Sequence, residues 1–443
     1  MALSIRLTKG QKVPLTDGRT ITIMGELGTG GQGIVYRVRL DGTGEEKALK
    51  WYFPAKLKNP QEFYNRLRDK NIDKGAPSPA FVWPEALTQP VNGTFGYIMK
   101  IYPSEYKGFP KFLLGSAKFS GGTAMVDACL NIVTAFKHLH NQGWNYQDLN
   151  DGNFAINPKN GDVLICDNDN VVGHGIESGV LGKARYMAPE IVRGDAKPNK
   201  LTDRYSLAVV LFMLLTRSHP LEGAKTNVPA LVDKYQKRFF GTEPVFIYDP
   251  KDNSNRPKEK LHVGALKFWP YFPDFLKNAF IQSFSYESLH KAENRLLEEQ
   301  WIHVLMRLKS SLVQCPHCHD EMFLASDKAT ICQNCNKNVL PVGYLKFPKR
   351  TDMEVTVPLI GGVRLFDYHI SNNTDNYGYE NEVALVMEKP GKLGLKNESS
   401  NSWTITAPNG NSAAKQPNEI AVLGAGFKID FGKKITAEVV VNK

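Results

Sequence analysis

Long apolar runs and a leader sequence are what this chain lacks. No hydrophobic stretch among its 443 residues approaches the roughly 20 residues that a membrane-spanning helix needs. The first residues contain no basic segment followed by an apolar stretch and a cleavage site, so we expect no secretory signal. These absences predict a cytoplasmic protein without a membrane partner.

Charge of one sign is not concentrated anywhere either. The net charge is +10, from 55 lysines and arginines against 45 acidic residues, yet no long basic block is present. A modest positive charge that is spread along the chain identifies no particular partner, whereas nucleic-acid binding favours a clustered basic patch. We therefore expect no nucleic-acid partner. The length itself predicts about two to four domains.

Cysteine is scarce, with six residues, but four of them form two Cys-x-x-Cys pairs separated by thirteen residues. In a cytosolic chain such pairs favour a metal over disulfides. Four thiolates at this spacing predict a closed, structural Zn²⁺ site of Cys315, Cys318, Cys332 and Cys335. Zinc binding supplies about 10–16 kcal/mol, enough to organise a segment too short for its own core. A redox pair would instead accompany a βαβ unit, which the sequence does not show.

The pattern of apolar residues changes along the chain. Roughly the first hundred residues read as strands, and the region from about residue 122 reads as helices. After about residue 350 the chain returns to short strands with no convincing helix. The predicted strands lie at 20–27, 34–40, 47–53 and 97–102, and the predicted helices at 60–72, 123–141, 201–216, 274–284 and 293–312.

A glycine-rich loop lies between the first two of these strands. Gly28, Gly30, Gly31 and Gly33 would let backbone N–H groups approach a phosphate without obstruction from Cβ atoms. A dinucleotide fingerprint would open a helix, but here the chain continues as a strand. Alone, the loop could be an ordinary turn. Lys50 on the following strand strengthens the phosphate interpretation, because a lysine there can hold ATP phosphates.

Two polar stretches carry the strongest chemical signal. Asp148 is followed five residues later by Asn153, and Asp167 comes after a predicted strand hairpin. Carboxylate and amide oxygens suit Mg²⁺, which assigns Asn153 and Asp167 to the metal. Asp148 is then free to accept a proton from a substrate hydroxyl. The alternative is a pair of polar turns, which the apolar flanks and the spacing to Lys50 disfavour.

Over roughly residues 20–310 these features resemble the protein kinase superfamily, with Ala188-Pro189-Glu190 as its A-P-E motif. The resemblance implies that Lys50, Asp148, Asn153 and Asp167 perform phosphoryl transfer from Mg-ATP. It implies that Asp203 braces the catalytic loop and that Arg295 pairs with Glu190. It also implies an ATP pocket formed by Gly28, Gly30, Gly31, Gly33, Val35, Ala48, Lys50, Met99, Lys100, Ile101, Asn153 and Asp167.

Several neighbours of these residues depart from the family pattern. Gln147 stands where the family has the arginine that reads an activation-loop phosphate, and Asn168 replaces the phenylalanine of D-F-G. The only hydroxyl side chains of the predicted activation segment are Ser178 and Tyr186. We therefore expect no activation by phosphorylation of that segment.

One further departure looks like an exchange of charge. Asn150 replaces the catalytic-loop lysine, and Lys183 replaces the threonine that contacts that lysine in the family. We hypothesise that Lys183 supplies the missing cation to the transferred phosphate. The helix carboxylate that pairs with Lys50 in the family is harder to identify, and Glu62 is the best acidic candidate.

The predicted fold class is α+β. A bilobal kinase fold over 1–310 would have its lobes at about 1–102 and 103–310, and a zinc ribbon at 311–346 and an all-β sandwich at 347–443 would follow. The last unit is similar to a forkhead-associated domain, with Arg364 and Asn397 as loose phosphothreonine-binding candidates, but it lacks that family's serine-x-x-histidine element. A β-sandwich that binds no phosphopeptide is an equal alternative. This order resembles a bacterial kinase of tellurite-resistance-linked triads. That implies a PP2C-like phosphatase and a von Willebrand A-type protein as partners, besides a protein substrate.

The preferred function is a protein serine/threonine kinase in a signalling or stress response. The sequence alone does not separate a serine or threonine acceptor from tyrosine. A pseudokinase scaffold that binds nucleotide without catalysis stays open, because Gln147, Asn150 and Asn168 replace standard residues. A zinc-ribbon protein that binds nucleic acid is a third alternative, although its ribbon lacks interleaved arginines and aromatic residues.

Overall fold

The structure is a computed structural model that describes residues 6–57, 59–91, 93–173, 182–371, 378–390, 392–433 and 435–442. Along these ranges a strand-rich lobe is followed by a helical lobe, four short strands around the cysteine pairs, and two β-sheets. No helix in the described ranges combines the length and the apolar character needed to cross a bilayer.

The first lobe is built on one antiparallel sheet. Its strands are β1 (Lys12–Pro14), β2 (Thr20–Thr29), β3 (Gly33–Leu40), β4 (Glu46–Tyr52), β5 (Ala86–Leu87) and β6 (Gly96–Lys100). Their order in the sheet is β1-β2-β3-β4-β6-β5. Alternation along β3 explains why it forms a strand, since Ile34, Tyr36 and Val38 are buried while Arg37 and Arg39 face solvent.

One helix packs on this sheet. The sequence predicts a single helix over 60–72, and the structure has α1 (Pro60–Arg66) continued by a π-helical turn at Leu67–Ile72. Tyr64 and Leu67 face the sheet and are buried. The turn is fixed from outside the helix, because Trp83 Nε1 donates a hydrogen bond to the carbonyl of Asn71 at 2.7 Å.

The second lobe is mainly helical. Its elements are β7 (Lys107–Gly108), α2 (Phe109–Leu113), α3 (Gly122–Asn141), β8 (Trp144–Asn145), β9 (Phe154–Ile156), β10 (Val163–Ile165), β11 (Val172–Gly173), α4 (Pro189–Arg193), α5 (Lys200–Thr216), α6 (Asp233–Lys237), α7 (Val263–Phe268), α8 (Asp274–Ser283), α9 (Tyr286–His290) and α10 (Glu298–Ser311). Nearly all of α5 is buried, and Asn199 and Thr202 form a capping box at its start.

Helix α10 begins later than the pattern predicts. The sequence suggests a helix over 293–312, but only a 3₁₀ turn forms at Ala292–Asn294, and the regular helix begins at Glu298. Arg295 between them is extended, because its guanidinium donates hydrogen bonds to both carboxylate oxygens of Glu190, at 2.8 and 2.7 Å. A buried ion pair thus interrupts a helix that periodicity alone would continue.

Two short hairpins follow α10. Their strands are β12 (Leu312–Gln314), β13 (Glu321–Phe323), β14 (Thr330–Ile331) and β15 (Asn338–Val339), with β12 paired to β13 and β14 to β15. The remaining elements are β16 (Gly343–Arg350), β17 (Met353–Leu359), β18 (Arg364–Phe366), α11 (Asp367–Ile370), β19 (Glu382–Lys389), β20 (Lys392–Asn397), β21 (Trp403–Thr406), β22 (Ser412–Lys415), β23 (Ile420–Leu423), β24 (Lys428–Asp430) and β25 (Thr436–Val441).

These last strands form two antiparallel sheets, in the orders β17-β16-β25-β24-β21-β22 and β18-β19-β20-β23. The sheets share one hydrophobic cluster with the helical lobe and the cysteine hairpins. Helix α10 lies at the junction, where His303 Nδ1 is 2.8 Å from the hydroxyl of Tyr368 and Ser310 Oγ is 3.0 Å from His369 Nε2. The C-terminal sheets therefore pack directly against the helical lobe.

Candidate functional site

The glycine-rich loop is the turn of the hairpin between β2 and β3. Its backbone closes through a hydrogen bond from the amide of Gly30 to the carbonyl of Gly33, at 2.9 Å. A Cβ atom on Gly33 would stand 2.1 Å from the carbonyl oxygen of Trp51, so only glycine fits there. Cβ atoms on Gly28, Gly30 or Gly31 would meet nothing within 4 Å, which leaves backbone open to a ligand.

Apolar side chains from the strands of the first lobe meet the end of β10 beneath this loop. The residues predicted to surround adenine belong to one hydrophobic cluster, which also includes two residues from β10 and its end that the sequence did not single out. The predicted residues in this cluster are Val35, Ala48, Met99 and Ile101, and the two additional ones are Leu164 and Cys166. Lys100 ends β6 with an exposed side chain. The cluster provides apolar walls of the kind that bind a flat heterocycle.

Lys50 on β4 is buried and surrounded by acceptors. Its Nζ lies 3.0 and 2.9 Å from the two carboxylate oxygens of Asp169 and 3.2 Å from Oδ1 of Asp167. Gln32 of the glycine loop also accepts from Nζ, at 3.2 Å. Burial alone would lower the pKa of Lys50, but the charges of Asp169 and Asp167 outweigh it and raise the pKa to about 12.

Glu62 does not pair with Lys50 in this structure, and so the suggestion from the sequence is wrong. Glu62 is exposed in the first turn of α1 and accepts a hydrogen bond from Asn59 Nδ2 at 3.2 Å. The sequence missed Asp169, which holds Lys50 instead. The signal was the second carboxylate of Asp167-Asn168-Asp169, two residues beyond the predicted metal ligand.

The loop that carries Asp148 is held by its own amide side chains. Asn150 Nδ2 donates to Asp148 Oδ1 at 3.0 Å, and Asn150 Oδ1 accepts from the amide of Gly152 at 2.9 Å. Asn153 Nδ2 donates to the carbonyl of Asp148 at 2.7 Å. Burial, partly offset by the bond from Asn150, raises the pKa of Asp148 to about 6. Asn150, which replaces the catalytic-loop lysine of the family, thus orients Asp148.

Asp203 braces this loop from behind, as the resemblance implies. Its carboxylate accepts hydrogen bonds from the amides of Tyr146 and Gln147, at 2.6 and 3.2 Å. Gln147 has a φ of +67°, an unfavourable conformation for a side chain of this kind. The bond to Asp203 helps to hold that conformation immediately before Asp148.

Asp167 is the first residue of the activation segment, after β10, and its φ is +54°. Its side chain is 45% exposed, so carboxylate oxygens face the cleft. The following residue, Asn168, is fully buried and donates to the carbonyls of Val82 and Ile165, both at 2.8 Å. Where the family pattern has a phenylalanine, this chain has an amide tied to backbone on both sides.

Lys183 lies beside the catalytic loop and contacts it. Its Nζ is 3.0 Å from Asp151 Oδ1, and the side chain is 57% exposed. The same ammonium lies 3.8 Å from the position a Cβ atom on Gly152 would take. Lys183 therefore reaches the loop that carries Asn150, as the proposed exchange of charge requires. Ser178 falls outside the described residues, and Tyr186 is buried.

The four paired cysteines come together between the two short hairpins. All their Sγ atoms lie within 4.8 Å of one another, with Cys315 and Cys335 at 3.8 Å and Cys318 and Cys332 at 3.6 Å. Sulfurs about 2.3 Å from a tetrahedral ion stand roughly 3.8 Å apart. The cluster therefore has the dimensions of a four-thiolate metal site.

The two phosphothreonine-binding candidates of the C-terminal sheets have structural partners. Arg364 pairs with Glu382 at 2.6 Å and with Glu398 at 3.1 Å. Asn397 is fully buried and donates to the carbonyls of Asn401 and Lys415 at 2.7 and 3.2 Å. These contacts engage both side chains within the sheets.

Comparison with known proteins identifies the family of the two lobes. The family model for the protein kinase domain matches residues 21–267, which is more than half of the chain. Curated relatives include CBL-interacting serine/threonine-protein kinase 24 of Arabidopsis thaliana, 27% identical over 150 residues that cover 32% of this chain and 33% of the relative. Serine/threonine-protein kinase SCH9 of Candida albicans is 24% identical over 270 residues, which cover 56% of this chain and 33% of the relative.

Ribosomal protein S6 kinase alpha-4 of Mus musculus is 35% identical over 109 residues, covering 22% of this chain and 13% of the relative. This chain thus spans a third or less of the length of these relatives. All three are eukaryotic and do not support the bacterial setting that the sequence suggested. Because the family model covers most of both lobes, the chain belongs to the protein kinase domain family.

Proposed function

We propose that this chain is an ATP- and Mg²⁺-dependent kinase that transfers the γ-phosphate to a serine or threonine hydroxyl of a protein substrate. The supporting observation is that Lys50, Asp148, Asn153 and Asp167 meet at one cleft beneath the glycine loop. Lys50 contacts Asp167, the carbonyl of Asn153 accepts from the amide of Cys166 at 2.8 Å, and the side chain of Asn153 holds the carbonyl of Asp148.

In this proposal the nucleotide lies between the lobes. The open backbone at Gly28, Gly30 and Gly31 faces the phosphates, and the ammonium of Lys50 provides a fixed positive charge beside them. In the proposal adenine contacts Ala48 and Leu164, which belong to one apolar cluster. The pocket thus offers apolar walls for the base and polar groups for the phosphates.

Asp167 and Asn153 are the proposed Mg²⁺ ligands. Both offer oxygen atoms, which Mg²⁺ prefers, and the exposed carboxylate of Asp167 faces the cleft. When bound, the ion neutralises charge on the transferred phosphate. The residues of this chain therefore fit the metal that the family uses.

Asp148 is the proposed acceptor of the substrate proton. Asn150 fixes one carboxylate oxygen of Asp148, and in the proposal the second oxygen faces the substrate hydroxyl. Lys183 would bring its ammonium to the transferred phosphate from beside the loop. It now pairs with Asp151, and because the lysine side chain is 57% exposed the ammonium can exchange this contact for a phosphate at a modest cost.

For the cysteine cluster we infer a structural Zn²⁺ site. The sulfur separations suit tetrahedral coordination, and four thiolates leave no open position for a substrate. The hairpins also contact the helical lobe, since the amide of Gly122 donates to Glu321 Oε2 at 2.8 Å. Zinc would hold this contact surface in shape.

The relatives' names support the choice of acceptor, because each is called a serine/threonine kinase or an S6 kinase. The forkhead-associated likeness rests on the strand pattern of about the last ninety residues, and the PP2C-like phosphatase and the von Willebrand A-type partner rest mainly on the order of the domains. The paired side chain of Arg364 argues against phosphopeptide binding at that residue.

A transfer assay tests the proposal. Purified protein is incubated with γ-labelled ATP, Mg²⁺ and a mixture of acceptor proteins, and the labelled amino acids are identified after hydrolysis. We expect label on serine or threonine, and loss of at least 100-fold of the rate for Asp148→Asn, since general-base catalysis contributes about 10²–10⁴-fold. Asp252→Asn, an exposed loop change, is the control. Equal labelling by wild type and Asp148→Asn, or label on tyrosine alone, contradicts the proposal.

A further inference from the structure

The two carboxylates that surround Lys50 are not equivalent. Asp169 is 1% exposed and receives Nζ on both oxygens, whereas the side chain of Asp167 is 45% exposed and makes one contact at 3.2 Å. Asp169 also accepts a short hydrogen bond from the hydroxyl of Tyr52. The closer and better enclosed partner of Lys50 is therefore the residue that the family pattern reserves for a glycine.

Neither helix α1 nor the π-helical turn after it provides a competing carboxylate in the described part of the chain. Glu62 is exposed and bonded to Asn59, and Asp69 is exposed and paired with Arg68 at 2.6 Å. The half-buried charged residue of the helix is Arg66. Burial alone would raise the pKa of Asp169, but the positive charges of Lys50 and Arg66 lower it. In the family pattern an anion on this helix holds the lysine.

We propose that Asp169 is the positioning residue for Lys50, taking from the start of the activation segment the part that a helix glutamate plays elsewhere in the family. This rests on the proposed function. It makes the placement of the phosphate-binding lysine depend on the segment that also carries Asp167. Movements of α1 then have no ion pair through which to switch Lys50.

The surroundings of Asp169 suit a fixed support. Asn168 is tied to the carbonyls of Val82 and Ile165, and Asn71 Nδ2 donates to the carbonyl of Asn168 at 3.2 Å. The carboxylate of Asp169 thus extends from a backbone bonded to both lobes. This arrangement lets Asp167 bind a metal ion, because Lys50 stays paired with Asp169 when Asp167 no longer contacts it.

The experiment compares two carboxylates with matched substitutions in the full-length protein. Asp169→Asn keeps the shape and removes the charge, and Glu62→Gln does the same on α1. We expect Asp169→Asn to weaken Mg-ADP binding and kcat/KM for ATP by roughly 10- to 100-fold, since a bond between charged groups is lost. Glu62→Gln should change neither by more than about twofold. Calorimetry with Mg-ADP and steady-state kinetics measure the two quantities.

Adenosine separates positioning from a general structural effect. Because Lys50 faces the phosphates, Asp169→Asn should leave adenosine affinity within about twofold of wild type while Mg-ADP affinity falls. Tyr52→Phe is the second variant, used also if Asp169→Asn fails to fold. It removes one bond to Asp169 and keeps the ion pair, and should weaken Mg-ADP binding by roughly threefold to tenfold without affecting adenosine.

Three results would overturn the assignment. The first is weaker ADP binding in Glu62→Gln while Asp169→Asn or Tyr52→Phe binds ADP like wild type. The second is an equal loss of adenosine and ADP affinity in Asp169→Asn. The third is faster turnover in Asp169→Asn, which would make the contact inhibitory. Nucleotide binding is measured separately from phosphate transfer. A wild type that binds ADP through Asp169 but transfers no phosphate would refute the proposed function and leave this assignment standing.

Discussion

His140 Nε2 lies 3.1 Å from the Oδ2 atom of Asp203, in the interior of the helical lobe. The same carboxylate holds the amides of Tyr146 and Gln147, two residues and one residue before Asp148. The other ring nitrogen of His140 lies 2.9 Å from Glu298, the first residue of α10. A buried charge network thus connects the catalytic loop with the helix on which the C-terminal sheets pack.

This network predicts a dependence of stability on pH. Burial alone would lower the pKa of His140, but the hydrogen bonds and charges of Asp203 and Glu298 raise it to about 9, from 6.5. A pKa that is raised by folding stabilises the fold below pH 6.5, and this stabilisation is lost as the pH rises to about 9. We expect His140→Gln to melt below wild type at pH 6, and the difference to shrink by pH 9.5.

Thermal melting at several pH values measures this difference, with His138→Gln on the same helix as the control. A gap between wild type and His140→Gln that is the same at pH 6 and pH 9.5 would show that the charge of His140 contributes nothing. A gap that widens with pH would reverse the sign and contradict the network.

The ion pair of Arg295 and Glu190 predicts non-additive mutations. The side chain of Arg295 is 2% exposed and makes two hydrogen bonds to Glu190. Arg295→Met leaves a partly buried carboxylate uncompensated, which costs about 3–5 kcal/mol. Glu190→Gln leaves a buried guanidinium with weaker acceptors. We expect the double variant to lose at least about 1 kcal/mol less than the sum of the single variants, measured by urea unfolding. Strict additivity would count against a coupled pair.

The cysteine cluster predicts about one zinc ion per purified chain. Cys318→Ser should lower the zinc content and the melting temperature together, because the hairpins would lose their cross-link. A chelator should lower the melting temperature of wild type, and added Zn²⁺ should restore it. Cys166→Ser changes a cysteine outside the cluster and should keep the ion, as measured by elemental analysis. Full zinc occupancy in Cys318→Ser would exclude the site.

Lys183 predicts a loss of turnover without a loss of nucleotide binding. If its ammonium reaches the transferred phosphate in the transition state, Lys183→Met should lower kcat by roughly 10- to 100-fold and leave the Mg-ATP affinity within about threefold. Lys159→Met, on an exposed turn of the same lobe, is the control. Wild-type turnover in Lys183→Met would remove Lys183 from the phosphate site.

Local patterns in the sequence were enough to predict the main elements. The strands on both sides of the glycine loop, helix α3 and helix α5 each start within about one residue of the predicted position, because alternation and helical periodicity decide them. Helix α10 does not start where the pattern predicts. Its predicted first turn is replaced by extended chain at Arg295, and the reason, a bond to Glu190, lies 105 residues away in the sequence.

The partner of Lys50 was missed for the same kind of reason. Family analogy directs attention to helix α1, where Glu62 is the natural choice, and only tertiary structure shows that it faces solvent. Asp169 stands where the family pattern has a glycine, and only the folded structure shows its carboxylate buried beside Lys50. Local sequence does not contain the long-range pairing of buried charges; the family resemblance supplied it for Arg295 and Glu190 but not for Lys50 and Asp169.

Binding and turnover in Asp148→Asn provide the most direct test of the central claim, that the cleft catalyses phosphate transfer. Mg-ATP affinity by calorimetry and transfer of labelled phosphate are measured on the same preparations of wild type and Asp148→Asn. We predict similar affinities, within about threefold, and transfer by wild type that is at least about 100-fold faster. Tight Mg-ATP binding by both proteins with equal or no transfer would show that the chain binds nucleotide without catalysing its chemistry.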